Sequence, residues 1–356
     1  MTNSKQQSAL SKEQIDSVIA LYSAGQYQEA INQIKILNDL YPNTPFLFNL
    51  IGACYKSLGQ LEGSAKMFET AVNIKPDYSE AHKNLGITLK DLGRLDAAVE
   101  SLNRAIAIEP NYVDAHYNLA ITFKDLNQLD DAVKSYQKVI EINPNFAQAY
   151  NNLGNLLKDL GQTDEAIKNY QKAIEINPNF AHAYNNLGNA FKDLEKLIEA
   201  VSCYEKAIEG NPNFSEAHNN LGNAFKDLGE LDNAINSYQK AVHLDYKLYE
   251  AYYNLGVVFI QLKRFNKAIE SFQTAIEINP NFSQSYNNLG SALMSQGRVK
   301  ESIKYFKKAL DIDAVYVNAH NNLGIALTDL GQLKAGAKSI ERAIEIDPDF
   351  AEAHNS

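Results

Sequence analysis

The chain has 356 residues, 45% of them hydrophobic, and a formal net charge of −10. That is enough apolar material for a continuous core, and the acidic balance without any Lys/Arg block argues against nucleic acid or an anionic membrane as main partner. The two cysteines, Cys54 and Cys203, lie far apart and outside any CxxC, which leaves no zinc or disulfide framework and suits reduced thiols in the cytoplasm.

The N-terminus, MTNSKQQSALSKEQ, is polar and has no apolar core of signal-peptide length; residues 1–10 are expected to be disordered. Ser11-Lys12-Glu13-Gln14 reads as a capping box, with Leu10 and Ile15 placed as a hydrophobic staple. From there prolines form a ruler. Pro42, Pro76, Pro110, Pro144, Pro178, Pro212, Pro280 and Pro348 are spaced by 34 or multiples of 34, and Tyr246 and Ala314 occupy the two remaining places. Ten 34-residue repeats therefore fill residues 11–350 without insertion (11–44, 45–78, 79–112, 113–146, 147–180, 181–214, 215–248, 249–282, 283–316 and 317–350), and 351–356 begin an incomplete eleventh. Positions are numbered within each repeat, the proline being position 32.

Each repeat reads as two helices, A over about positions 2–14 and B over about 18–30. Position 15 is Gly in seven repeats and Asn127 in another, residues that accept the left-handed conformation ending a helix. Repeat six departs, with Glu195 at that turn and Gly210 late in helix B. Position 20 is Ala, Ser or Gly throughout, and position 8 is Gly or Ala in repeats two to ten. Small residues there let two helices approach, while larger ones at 7, 11 and 24 (Leu187, Phe191 and Tyr204 in repeat six) fill the space beside them. One hairpin cannot bury this face alone, but stacked repeats can.

The pattern Tyr/His-x2-Leu-Gly-x2-Phe/Leu … Ala-x3-Tyr … Pro at this period resembles the tetratricopeptide repeat (TPR) over residues 11–350. The resemblance implies an all-α, right-handed superhelical solenoid whose A helices line a concave groove that binds protein. There is no run of 18 apolar residues, hence no expected membrane helix.

Motifs for chemistry are lacking. His82, His116, His218, His320 and His354 share position 4 with Tyr150, Tyr184, Tyr252 and Tyr286, so the plain reading is a packed aromatic, and no second His stands three or four residues away to make a metal pair. No GxSxG, HExxH, phosphate loop or GxGxxG occurs. Two Asn-Phe-Ser sequons, at Asn213 and Asn281, fall in the recurring inter-repeat loop and have no signal peptide to make them acceptors. Neither metal nor cofactor nor catalytic residue is expected.

The Asn residues are unusual, because Asn is a poor helix former. On a wheel of about 100° per residue, positions 4, 7, 8, 11 and 14 of helix A make the core side, and positions 2, 5, 6, 9, 12 and 13 cluster opposite. Position 6 is Asn in eight consecutive repeats: Asn84, Asn118, Asn152, Asn186, Asn220, Asn254, Asn288 and Asn322. Position 5 adds Asn151, Asn185, Asn219, Asn287 and Asn321, and position 9 adds Asn155, Asn189 and Asn223. Positions 12 and 13 are Lys-Asp in repeats three to seven, including Lys158-Asp159, Lys192-Asp193 and Lys226-Asp227. By the resemblance this arc lines the concave groove, and the Asn before Leu-Gly is similar to that in the repeat region of O-linked N-acetylglucosamine transferases, which binds polypeptide. A chaperone-type carboxylate clamp does not fit, since it needs Lys and Arg where this chain has acidic residues and Asn.

A non-catalytic scaffold holding extended peptides in an Asn-lined groove is the expected function. The alternative is a substrate-recruiting region of a longer glycosyltransferase or sulfotransferase-like enzyme. A plainer account of the Asn row is that it bonds neighbouring helices together. Tyr316, bordering the last full repeat, and Leu323, Leu327, Ile340 and Ile344 within it are expected to be exposed and to favour self-association through residues 317–356.

Overall fold

The computed structural model describes residues 10–350, so the expectations for residues 1–9 and 351–356 lie outside it. The described residues form an all-α, helix-turn-helix solenoid of ten paired helices without a strand. The A helices are α1 (Lys12–Ser23), α3 (Pro45–Ser57), α5 (Ser79–Asp91), α7 (Val113–Asp125), α9 (Ala147–Asp159), α11 (Ala181–Asp193), α13 (Ser215–Asp227), α15 (Tyr249–Gln261), α17 (Ser283–Ser295) and α19 (Val317–Asp329). The B helices are α2 (Tyr27–Leu40), α4 (Leu61–Ile74), α6 (Leu95–Ile108), α8 (Leu129–Ile142), α10 (Thr163–Ile176), α12 (Leu197–Gly210), α14 (Leu231–Leu244), α16 (Phe265–Ile278), α18 (Val299–Ile312) and α20 (Leu333–Ile346). Both kinds begin one position earlier than expected in nearly every repeat. The Ser11 capping box is formed, with the Gln14 backbone N–H donating to Ser11 Oγ and the Ser11 N–H to Gln14 Oε1.

The chain divides into two compact halves, up to Ile176 and from Asn177. Within each half every A helix packs on its own B helix, each B helix packs on the next A helix, and successive A helices touch. The N-terminal half has one core around Ile31, Leu47 and Cys54 and another around Phe68, Leu85 and Leu89. In the C-terminal half Tyr204 packs with Leu221, Tyr238 with Leu255 and Phe272, and Phe306 with Leu323 and Leu327.

The small-residue rule has a direct physical cause. A Cβ on Gly188 or Gly222 would lie 2.6 Å from the ring of Tyr204 or Tyr238, the position-24 residue of the same repeat. The aromatic ring thus lies on the bare backbone of helix A, burying more area than a side chain at position 8 would permit. The core face is wider than the wheel implied. Positions 3 and 10 are buried as well, as Ala183, Ala190, Ala217 and Ala224 show. Position 14, the C-cap residue, is core only in part: Leu92 and Leu262 pack against the core, while Leu58, Leu194, Leu228 and Leu330 are exposed. Leu323 and Leu327, expected to be uncovered at the last repeat, are buried.

Position 15 has positive φ in all ten repeats. Seven use Gly, but Asn127, Glu195 and Lys263 adopt φ of 59°, 59° and 56°. The turn geometry therefore follows from the stacked helices, and the residue conforms to it. Left-handed backbone costs a non-Gly residue roughly 1–2 kcal/mol, partly offset by the larger entropy loss of Gly on folding, about 0.5–1 kcal/mol. Glu195→Gly and Lys263→Gly are each expected to stabilise by about 0.5–1 kcal/mol, read as a higher urea midpoint at unchanged slope. A lower midpoint would contradict this account of the turn.

Candidate functional site

Position on the wheel decides what each Asn does. Taking about 100° per residue, position 9 lies near the middle of the solvent-facing arc, while positions 5 and 6 lie at its two edges, roughly 100° apart. One edge meets the A helix of the following repeat and the other that of the preceding repeat. The hydrogen bonds follow this arrangement. In the N-terminal half Asn84 Nδ2 donates to Asn49 Oδ1 at 3.0 Å. In the C-terminal half Asn220 donates to Asn185 at 3.0 Å, Asn254 to Asn219 at 3.1 Å and Asn322 to Asn287 at 3.0 Å. Where position 5 is Tyr, its hydroxyl oxygen accepts instead, Asn152 donating to Tyr117 at 2.9 Å and Asn288 to Tyr253 at 3.1 Å. Repeat three has Lys83 at position 5, and Asn118 turns back to the Asp114 carbonyl of its own helix.

Asn151, Asn185 and Asn219, expected on the groove surface, are instead buried, with 6%, 2% and 8% of their surface exposed. They face the neighbouring helix, which a wheel for an isolated helix cannot show. The position-6 residues are half-buried, so Asn84, Asn152, Asn220, Asn254, Asn288 and Asn322 donate along the ladder and keep an edge toward solvent. A second ladder runs alongside. Lys at position 12 reaches Asp at position 13 of the next repeat: Lys56 to Asp91 at 3.1 Å, Lys124 to Asp159 at 4.0 Å, Lys192 to Asp227 at 3.7 Å. Lys226 stays with Asp227 of its own helix at 3.5 Å. These pairs are one-quarter exposed or more, so each is worth little in stability. They leave the surface nearly neutral. Asn186, Lys158 and Asp193 occupy the same places in their repeats and are likewise engaged.

Position 9 behaves differently. The Tyr at position 24 donates its hydroxyl to the Asn carbonyl in three repeats: Tyr170 to Asn155 at 2.8 Å, Tyr204 to Asn189 at 2.7 Å and Tyr238 to Asn223 at 2.8 Å. Burial raises the Tyr204 and Tyr238 pKa values, keeping those phenols protonated and donating. With Oδ1 held, each half-buried amide turns its NH2 outward, and Nδ2 has no partner among the described residues. These are oriented donors on the solvent-facing arc. In repeats two to four and eight to ten position 9 is Ala53, Ile87, Ile121, Val257, Ser291 or Ile325, each half-buried, and in repeat one it is the exposed Ile19. The sequence reading singled out the Asn members of this row and missed the aliphatic ones. Their signal was available, since an Ile in the middle of a polar arc is out of place on a solvated helix face.

The inner face carries a cavity of about 260 Å³ in the N-terminal half, lined by Ile121, Lys124, Asp125, Tyr136, Asn152 and Asn155. A larger, open hollow of about 550 Å³ in the C-terminal half has walls of α12 and α14 residues, among them Glu205 and Lys240, with His218 at its edge. It contains none of the arc residues.

The position-4 histidines are turn staples. His82, His116 and His218 donate Nε2–H to the carbonyl of the preceding position-32 proline, Pro76, Pro110 and Pro212, at 3.0, 2.9 and 3.3 Å, and His320 does so to Ala314 at 3.1 Å. Burial, with help from Lys240, holds the His218 pKa below 6.5. A depressed folded-state pKa means that the unfolded chain binds the proton more tightly, so this contribution is intact above about pH 6.5 and is lost as pH falls through the folded value. Stability is expected to drop as pH falls below about 6.5, and His218→Tyr, the choice of four other repeats, to flatten that part of the thermal-melting profile. An unchanged profile in the variant would contradict it.

Cys54 and Cys203 are buried, and burial pushes both thiols up to about 11, which makes them packing groups rather than nucleophiles. No group of three or more His, Cys, Asp or Glu among the described residues could hold a metal ion. No described helix is long and apolar enough to cross a membrane.

Residues 143–356 match the family model for the cilia and flagella-associated protein 70 C-terminal domain. Residues 88–126 and 122–161 match a TPR repeat model and 47–78 a tetratricopeptide repeat model. No curated protein sequence matches the chain. Among solved structures the chain is similar to Pseudomonas aeruginosa PilF, at 20% identity and a TM-score of 0.52 over 58% of this chain and 94% of that one. It is similar to the Cut9–Hcn1 assembly of the APC/C at 15% identity and 0.53, over 95% of this chain and 87% of that one. These two likenesses are of fold alone. YrrB, described as a TPR protein with an unusual peptide-binding site, aligns at 25% identity and 0.45 over 52% of this chain and 96% of that one. The periodicity, the stacked hairpins and the matched residues together place the chain among the tetratricopeptide-repeat proteins, and it belongs to the family of the cilia and flagella-associated protein 70 C-terminal domain.

Proposed function

We propose that the chain is a non-catalytic interaction scaffold that holds extended polypeptide against the solvent-facing arc of its A helices. The observation that carries this reading is the set of Tyr-oriented amides, Asn155 in the N-terminal half and Asn189 and Asn223 in the C-terminal half. An outward NH2 is a donor for a ligand carbonyl, and the position-6 amide beside it keeps polar atoms of its own, so main chain can be read without regard to side chains. Packed helices lie about 8–10 Å apart, close to three residues of extended chain at about 3.3 Å each. The ligand would therefore be contacted once every three residues. Such a partner is protein, with no cofactor, nucleic acid or membrane in the reading.

The position-6 row before Leu-Gly also suits the recruiting role of the O-linked N-acetylglucosamine transferase repeats, in which bound polypeptide is presented to a separate catalytic unit. A cytoplasmic setting belongs to the same proposal and rests on the buried, protonated thiols.

The test is a double variant, Asn189→Asp and Asn223→Asp. Asp keeps an acceptor for each Tyr hydroxyl but replaces the outward donor by a carboxylate oxygen, which repels a ligand carbonyl. Binding to a library of extended peptides should fall at least tenfold, about 1.4 kcal/mol, with the melting temperature nearly unchanged. Unaltered binding in the double variant would overturn the proposal.

A further inference from the structure

Repeats four and five break the amide pattern at one place, and the break makes a pocket. Repeats five to seven pair Asn at position 9 with Tyr at position 24. Repeat four keeps the tyrosine, Tyr136, but has Ile121 at position 9 and Ala120 where most repeats have Gly. Tyr136 has no acceptor at position 9 of its own repeat and lies beside Asn152 of the next. Tyr136 is 1% exposed and Ile121 half-buried. Between them opens the cavity of about 260 Å³ on the inner face.

From this arrangement we infer a side-chain subsite: the pocket seats one large apolar side chain, aliphatic or aromatic, of an extended polypeptide whose main chain crosses Asn155. The inference rests on the peptide-binding reading and adds a sequence preference to it. Three features favour a peptide over other occupants. The lining includes Ile121 and the Tyr136 ring, apolar surface that a large aliphatic or aromatic side chain would take out of water. The rim holds Asn155, whose Nδ2 faces outward as a donor because Tyr170 holds its carbonyl at 2.8 Å. The two charged residues of the lining, Lys124 and Asp125, are of opposite sign, which favours neither an anion nor a cation. Apolar lining next to an oriented side-chain amide donor matches a residue with an apolar side chain and a free carbonyl.

The test uses the full chain and two labelled Gly/Ser peptides, identical except that one carries a central Phe and the other Ser. Anisotropy titration should show the Phe peptide binding about tenfold tighter, the worth of burying most of one such side chain. Ile121→Asn restores the pattern of the next three repeats and gives Tyr136 an acceptor, so it should fold as they do. It is expected to bring the Phe-to-Ser ratio close to one, the added position-9 amide tightening both peptides alike. Asn155→Asp should weaken both peptides by the same factor. A Phe preference that survives Ile121→Asn overturns the subsite. So does the absence of any preference in the natural chain when both peptides bind and both depend on Asn155. If neither peptide binds, the peptide-binding reading itself falls, and the subsite with it.

Discussion

Tyr238→Ala is expected to destabilise the chain by about 3–5 kcal/mol, the range for emptying a large buried aromatic site. Tyr238 is fully buried, packs with Ala234, Leu255 and Phe272, and lies on the bare backbone of Gly222. Neighbouring backbone cannot collapse into the void, because both helices of the hairpin are held by the repeats beside them. The loss should be local at first. Stability in a solenoid is shared between adjacent repeats, so amide exchange should quicken in α13–α16 before the melting transition moves as a whole. Urea unfolding combined with exchange checks both parts. A cost under about 1 kcal/mol would show that the ring is not the support that its burial implies. Tyr238→Phe separates packing from hydrogen bonding: it keeps the core but frees the Asn223 amide, and peptide affinity should fall more than stability.

The second large effect concerns the position-6 row. The combined change Asn220→Ala, Asn254→Ala and Asn322→Ala is expected to destabilise by about 3 kcal/mol, although Ala is the better helix former. Each substitution leaves a buried acceptor, on Asn185, Asn219 or Asn287, without its donor. Such an orphan costs about 1–3 kcal/mol, and the gain in helix propensity returns only about 0.5–0.7 kcal/mol. The bonds are separate, so the effects should be nearly additive. Chemical denaturation of the single and triple variants decides it. A triple variant as stable as the natural chain would mean that these bonds contribute nothing net.

The same contrast shows what was legible in the sequence. The repeat, its hairpin and the small residues at positions 8 and 20 follow from spacing alone, because one 34-residue pattern is printed ten times. The turn at position 15 was legible through Gly, and Glu195 and Lys263 show that the backbone keeps its form without it. The Asn residues were legible as exceptions but not as separate roles. A wheel of one helix places positions 5, 6 and 9 on a single polar arc, because it contains no neighbours. Once helices stack, the arc's edges become interfaces, Asn185 is 2% exposed, and the middle stays open to a ligand. The pocket at Ile121 depends on where Tyr136 lies across two helices, which no local pattern encodes.

One matched pair tests this division of labour most directly. Asn220→Asp and Asn223→Asp make the same chemical change three residues apart on α13. At position 6 it removes the donor to Asn185 and sets a carboxylate against a buried carbonyl oxygen. At position 9 it preserves the Tyr238 hydrogen bond and removes only the outward donor. Thermal melting and peptide titration of the two variants, side by side, should show Asn220→Asp clearly destabilised and Asn223→Asp close to the natural chain in melting but at least several-fold weaker in binding. Equal melting losses in the two variants, or full peptide affinity in Asn223→Asp, would contradict the account.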